Sequence, residues 1–229
     1  FAEHILGEMQ ELRETITNMQ EDVAGTLRIA APSILARYFL PKLLGRFQDM
    51  YPQKRNFDVQ IAQSSDVISL ASSLGIHFGF VRNDFDWRED ERVLLTTNHV
   101  CAVAAQPFKL EDLPHMVRVD YDTDQYYQNL LDGWWHETFE DSPIIGTRVS
   151  NLDLCKEMVF NGLGYGILPS ILIEEYPQLY SIPLVHKNGS KLERKTWLIY
   201  KKELLDLRLP KVFLEFVIDS DFDSFQRNH

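Results

Sequence analysis

From residue 25 to residue 81 the chain alternates between short apolar strands and amphipathic helices, and this order constrains the fold more than any other feature. Residues 26–31 read as a buried strand. Ser33 opens a helical stretch that Pro41 restarts, with Leu43, Leu44 and Phe47 as its inner face. Residues 57–62 (Phe-Asp-Val-Gln-Ile-Ala) alternate with period two. Ser64-Ser65-Asp66 caps a helix running to Leu74, and residues 76–81 (Ile-His-Phe-Gly-Phe-Val) are nearly all apolar, as a central parallel strand should be. A β-α-β-α-β order implies a parallel sheet with right-handed crossovers, hence an α/β fold.

The pattern occurs twice. Residues 92–105 are extended and long enough to leave one sheet and enter another. Strands follow at 116–119 and 144–149, helices at 125–139 and from the Asn151 cap to Phe160, and Gly162-Leu-Gly-Tyr-Gly166 turns into Ile167-Leu-Pro169. Strands at 179–185 and 196–200 and a helix at 209–218 close the chain, while the polar segment 186–195 crosses back to the first lobe. The expected organisation is therefore a helix over 1–24, one subdomain from 25–98 and 199–229, and a second from 99–198.

The segment before Gly25 spaces Ile5, Met9, Leu12, Ile16, Met19 and Val23 by four and three in turn. Met9, Ile16 and Val23 at a, with Ile5, Leu12 and Met19 at d, favour a two-stranded coiled coil, hence a homodimer or a tetramer built from dimers. A helix lying on its own domain is the alternative. The first residues carry no cap, which suggests a fragment of a longer protein. The net charge of -11 leaves no basic face for nucleic acid, and no Lys/Arg cluster goes beyond a pair such as Lys201-Lys202. No apolar run reaches the roughly 18 residues of a membrane span. Without a signal peptide the expected location is the cytoplasm.

Chemistry-bearing motifs are sparse. The glycine run at 162–166 follows a helix and precedes a strand, the reverse of what a dinucleotide loop needs. The seven histidines lack metal-ligand spacing, so neither metal nor cofactor is expected. Cys101 and Cys155 sit in apolar surroundings and read as buried thiols. Trp134 and Trp135 read as packed. Tyr121 and Asp122 are the only acid–base candidates for an enzyme of this fold. A different constellation stands out. Ser33, Ser64-Ser65 and Asn151 each follow a strand and open a helix, at the sheet edge where ligands of open α/β folds bind. Arg82 lies just past the third strand, Arg148 beside the Asn151 cap, and Arg194 in the return crossover. Helix N–H groups with one or two arginines suit a small carboxylate. Against this, caps often only cap, and Arg82 has Asp84 and Asp86 as nearby partners.

The order Gly25-Thr-Leu-Arg-Ile-Ala, Leu40-Pro41, Phe47, Tyr51-Pro52, Val149-Ser-Asn151 and Val159-Phe-Asn-Gly-Leu-Gly-Tyr-Gly-Ile-Leu-Pro169 resembles the linker helix and effector-binding domain of LysR-type transcriptional regulators. The resemblance covers almost the whole chain. It implies two Rossmann-like subdomains joined by two crossovers, of the periplasmic-binding-protein type II kind, with a small anionic effector in the cleft between them. Promoter DNA would be bound by an N-terminal winged helix-turn-helix absent from this chain. It also implies effector contacts at Ser33, Ile34, Ser64, Ser65, Arg82 and Asn151. Phe78-Gly79 departs from the family's Leu-Asp in the third strand. Arg82-Asn83, Cys155-Lys-Glu-Met158 and Leu192-Glu-Arg194-Lys-Thr resemble citrate-responsive catabolite regulators of Gram-positive bacteria, which would make Ser33, Arg82 and Arg194 tricarboxylate contacts. A solute-binding protein for transport is the alternative function.

Overall fold

A computed structural model describes residues 25–52, 55–73, 75–83, 91–173 and 176–222. The heptad segment, Leu74, Asp84 and Asp86 lie outside them. The chain forms two compact units. Unit 1 takes its described residues from 25–81, 91–95 and 197–222, and unit 2 takes its own from 82–83 and 96–196.

Unit 1 is built on β1 (Gly25–Ala31), with β2 (Arg55–Ile61) parallel on one side and β3 (Phe78–Arg82) parallel on the other. The strand β9 (Glu193–Tyr200) adjoins β3. Helix α1 (Ser33–Tyr38) follows β1, and the chain breaks at Phe39 before α2 (Leu40–Met50), where Pro41 fits the first turn because no backbone N–H is needed there. Leu40, Leu43 and Phe47 recur on one face of α2 and are buried. The last helix, α6 (Arg208–Asp219), presents Phe213 and Phe216 to the same core. Phe213 meets Phe47 at 5.1 Å and Phe78 at 5.2 Å between ring centroids, and Phe47 also meets Phe216 at 5.2 Å. Fully burying each such side chain stabilises by roughly 1.5–3 kcal/mol.

Helix α3 (Ser64–Ser72) begins after Gln63, which holds the N-cap position without a side-chain bond. The expected Ser64-Ser65-Asp66 cap is therefore corrected: Ser64 is already helical and buried. The backbone N–H groups of Asp66 and Val67 donate to the Gln63 carbonyl, so the turn closes one residue early. A Cβ on Gly79 of β3 would lie 2.6 Å from Val67 Cγ1 and 2.9 Å from Ile199 Cγ1. The departure from the Leu-Asp motif thus has a steric correlate, because α3 and β9 press directly on the strand.

In unit 2, β5 (Val117–Tyr121) runs parallel to β6 (Ile144–Val149) and to β7 (Tyr165–Pro169). The long β4 (Glu91–Ala104) pairs antiparallel with β7 and with β8 (Tyr180–Pro183). β4 and β9 each carry the chain from one unit into the other. Asp124 caps α4 (Gln125–Thr138), its Oδ1 accepting from the Tyr127 N–H at 2.8 Å. Trp134 and Trp135 are packed as expected, and their indole N–H groups donate to the carbonyls of Val185 and Asp141. Asn151 caps α5 (Leu152–Phe160) through Oδ1 and the Leu154 N–H at 2.9 Å. The glycine run is architectural. Gly164, at φ +145°, has no room for a Cβ against the Val117 carbonyl oxygen.

Candidate functional site

Each unit presents the carboxyl ends of its parallel strands as one edge. In unit 1, Ala31 and Ile61 pair in register, so the starts of α1 and α3 lie side by side. Ser33 is the first residue of α1 and exposed, behind a Pro32 N-cap, so its hydroxyl does not cap. Ile34 is buried, Ser64 is buried and Ser65 is exposed. In unit 2, Tyr121 pairs in register with Val149, which brings the Asp124 and Asn151 caps to one edge.

Arg194 is the centre of that second edge. It lies within β9 rather than in a loop, on the inward side of an alternation in which Glu193 is exposed and Arg194 and Thr196 are buried. Its Nε donates to Asn83 Oδ1 at 3.1 Å. Its Nη2 lies 3.6 Å from Asp124 Oδ2, an ion pair too long for a hydrogen bond. Its guanidinium carbon sits 3.6 Å from the centroid of the Tyr127 ring, at the start of α4. These contacts fix the plane of the guanidinium and engage only one of its five N–H donors in a hydrogen bond among the described residues.

Arg82 is 1% exposed. Burial, and then the charge of Arg194, bring its pKa down from the usual arginine range to about 9. Two guanidinium groups thus share a desolvated region, a costly arrangement unless negative charge is at hand. Asn83 follows Arg82 at φ 75°, a left-handed conformation that asparagine tolerates, and its N–H donates to the Lys195 carbonyl at 2.8 Å. That turn aims Oδ1 at Arg194. Asn83 Nδ2 and Thr196 Oγ1 are buried with no hydrogen-bond partner among the described residues.

Tyr121 does not supply a base. Burial, reinforced by the neighbouring Tyr127, pushes the Tyr121 pKa well up, so its hydroxyl keeps its proton. Asp122 ends β5 with its N–H on the Val149 carbonyl. Arg148 turns to Asp120, whose other oxygen takes Arg118 at 3.1 Å. Both thiols are buried, and burial raises Cys101 to about 11 and Cys155 to about 12, which disfavours the reactive thiolate. Among the described residues no group of His, Cys, Asp and Glu could hold a metal, and no helix is long and apolar enough to cross a membrane.

The expected site residues divide between the units, with Ser33, Ile34, Ser64 and Ser65 in unit 1 and Arg82, Asn151 and Arg194 in unit 2. Arg82 and Arg194 come together, while Asn151 spends its carbonyl oxygen on the α5 cap. Asn83, Asp124 and Tyr127 were not anticipated as partners of Arg194. Asp124 was detectable as the capping residue just before a helix at 125.

A family profile described as the LysR substrate binding domain matches residues 20–221. The chain belongs to that family. An uncharacterised HTH-type transcriptional regulator of Bacillus subtilis, YraN, is 35% identical over 217 residues, covering 95% of this chain and 74% of the relative. Among solved structures, the cofactor-binding domain of the Cbl transcriptional regulator superposes with a TM-score of 0.71 at 18% identity, covering 91% of this chain and 95% of that one. A sulfate-bound mutant of the OxyR2 regulatory domain from Vibrio vulnificus gives 0.68 at 16%, covering 90% and 97%. The chain is thus the effector-binding part of a LysR-type regulator, and its relatives are regulators rather than enzymes.

Proposed function

We propose that this LysR-family domain senses a small organic anion, with citrate or a related di- or tricarboxylate as the effector, and that Arg194 and Arg82 are its principal contacts. The carrying observation is the Arg194 guanidinium, locked in plane by Asn83 and Tyr127 while most of its donors take no hydrogen bond among the described residues. A planar, oriented fork of this kind matches a carboxylate bidentately, and each charge-assisted bond contributes roughly 1.5–3 kcal/mol. The N-terminal end of α4, directly against Arg194, adds a favourable dipole. Ser33, Ile34, Ser64, Ser65 and Asn151 supply the remaining contacts in this reading. Binding would bias the geometry of a homodimer or tetramer, and through it the promoter contacts of a DNA-binding part outside this chain. The ligand drives that change only by its differential affinity for the two arrangements.

The test is thermal melting of this chain against citrate, isocitrate, 2-oxoglutarate, malate, an aromatic acid and an amino acid. A ligand at about 100 times its Kd stabilises by roughly 2.7 kcal/mol, several degrees in Tm. The expected result is a shift with citrate that is lost in Arg194→Ala and in Arg82→Ala while both variants stay folded. Absence of a shift with every carboxylate would sink the reading.

A further inference from the structure

We infer that Asp124 is a specificity-determining residue that sets how much negative charge the Arg194 site accepts, an inference that rests on the reading of Arg194 as an effector contact. Asp124 has two distinguishable jobs. Its Oδ1 caps α4 by accepting from the Tyr127 N–H at 2.8 Å. Its Oδ2 faces Arg194 Nη2 at 3.6 Å, close enough for attraction and too far for a hydrogen bond. Both partners are screened from solvent, with the Arg194 side chain 6% exposed and that of Asp124 13%. The fixed carboxylate therefore does not occupy the guanidinium fork, yet its field reaches whatever does.

An anion seated on that fork lies within a few ångströms of Asp124 and is repelled by it, in proportion to the charge it brings. At an effective dielectric of about 20, one unit charge about 8 Å away is felt as roughly a tenfold or larger change in affinity. A monocarboxylate brings one charge. A tricarboxylate brings up to three, so Asp124 discriminates against it more steeply. The residue holds the guanidinium in place without ligand and grades ligands by charge when they arrive. The capping role does not explain the second contact, because an asparagine or serine side chain caps a helix about as well as aspartate.

That equivalence supplies the test. Asp124→Asn and Asp124→Ser keep the cap and remove the charge, and calorimetric titration of each variant with citrate and with acetate reads the consequence. The expected result is that acetate binds about tenfold tighter in both variants, and that citrate gains at least about tenfold more than acetate does. If the two ligands tighten equally, or neither changes, the inference falls while citrate binding that is lost in Arg194→Ala leaves the sensor reading standing. Weaker citrate binding in both variants also overturns it, because Asp124 would then be a direct acceptor for a ligand hydroxyl. If neither the parent chain nor any variant binds either acid, both the inference and the sensor reading fail.

Discussion

The two units solve the same topological problem with opposite chemistries. Each places a parallel strand between two neighbours and lets helices begin at the carboxyl edge. Unit 1 fills its interior with Phe39, Phe47, Phe78, Phe213 and Phe216. Among the described residues, its only buried side chain of the Ser, Thr, Asn or charged kind is Ser64. Unit 2 buries Arg82, Asn83, Asn98, Arg118, Asp120, Lys156, Arg194 and Thr196. Apolar burial is non-directional and gives stability, whereas buried charge costs desolvation and is recovered only through specific partners. Unit 1 is therefore the better scaffold, and unit 2 holds the buried polar groups proposed above for recognition.

The largest effect should come from the scaffold. Phe213→Ala removes a fully buried ring that joins Phe47 and Phe78, and should destabilise by about 3–5 kcal/mol. Urea denaturation checks the value, and titration of the remaining folded protein should show citrate affinity changed by less than about twofold. A large loss of affinity at full folding would break the division between scaffold and recognition.

Unit 2 has its own vulnerable point in Arg118–Asp120, where the side chains are 4% and 10% exposed. Asp120→Ala leaves Arg118 buried beside a missing charge and should cost about 3–5 kcal/mol, whereas Arg118→Met with Asp120→Leu should be within about 1 kcal/mol of the parent. The exposed Arg148 also loses a partner in both, at small cost because water screens it. Denaturation of the single and double variants decides. Similar losses in both would mean that the volume of these side chains matters rather than their charge.

Legibility from sequence follows the same contrast. β6 and the start of α5 at Leu152 fall where the periodicity and the Asn151 cap place them, and α2 buries the expected Leu43 and Phe47. Pattern reasoning works where burial is apolar. It fails at β9, whose first residues Glu193 to Thr196 alternate correctly between exposed and buried but fill the buried places with Arg194 and Thr196. A charged residue in an inward position erases the hydrophobic signal of a strand, and such positions are where function overrides local consistency. Arg82 and Arg194 were legible as candidates by residue type. Their closeness, and the Asn83 turn that orients Arg194, depend on pairing across 111 residues, which no local pattern carries.

The smallest effect sharpens the boundary of the recognition edge. Asn151 is exposed, its Oδ1 is committed to the Leu154 N–H, and its Nδ2 lies 3.3 Å from Ser150 Oγ. Asn151→Ala should destabilise by about 1 kcal/mol through loss of the cap. Asn151→Asp restores the cap and adds a negative charge, so stability should return to within a few tenths of a kcal/mol of the parent. If the amide of Asn151 faces the effector, Asn151→Asp should bind citrate several-fold more weakly than Asn151→Ala despite being the more stable protein, because the new carboxylate repels the ligand. Paired melting and titration of the two variants separate cap from contact. Equal citrate affinities would reduce Asn151 to a helix cap and confine recognition in unit 2 to the residues gathered around Arg194.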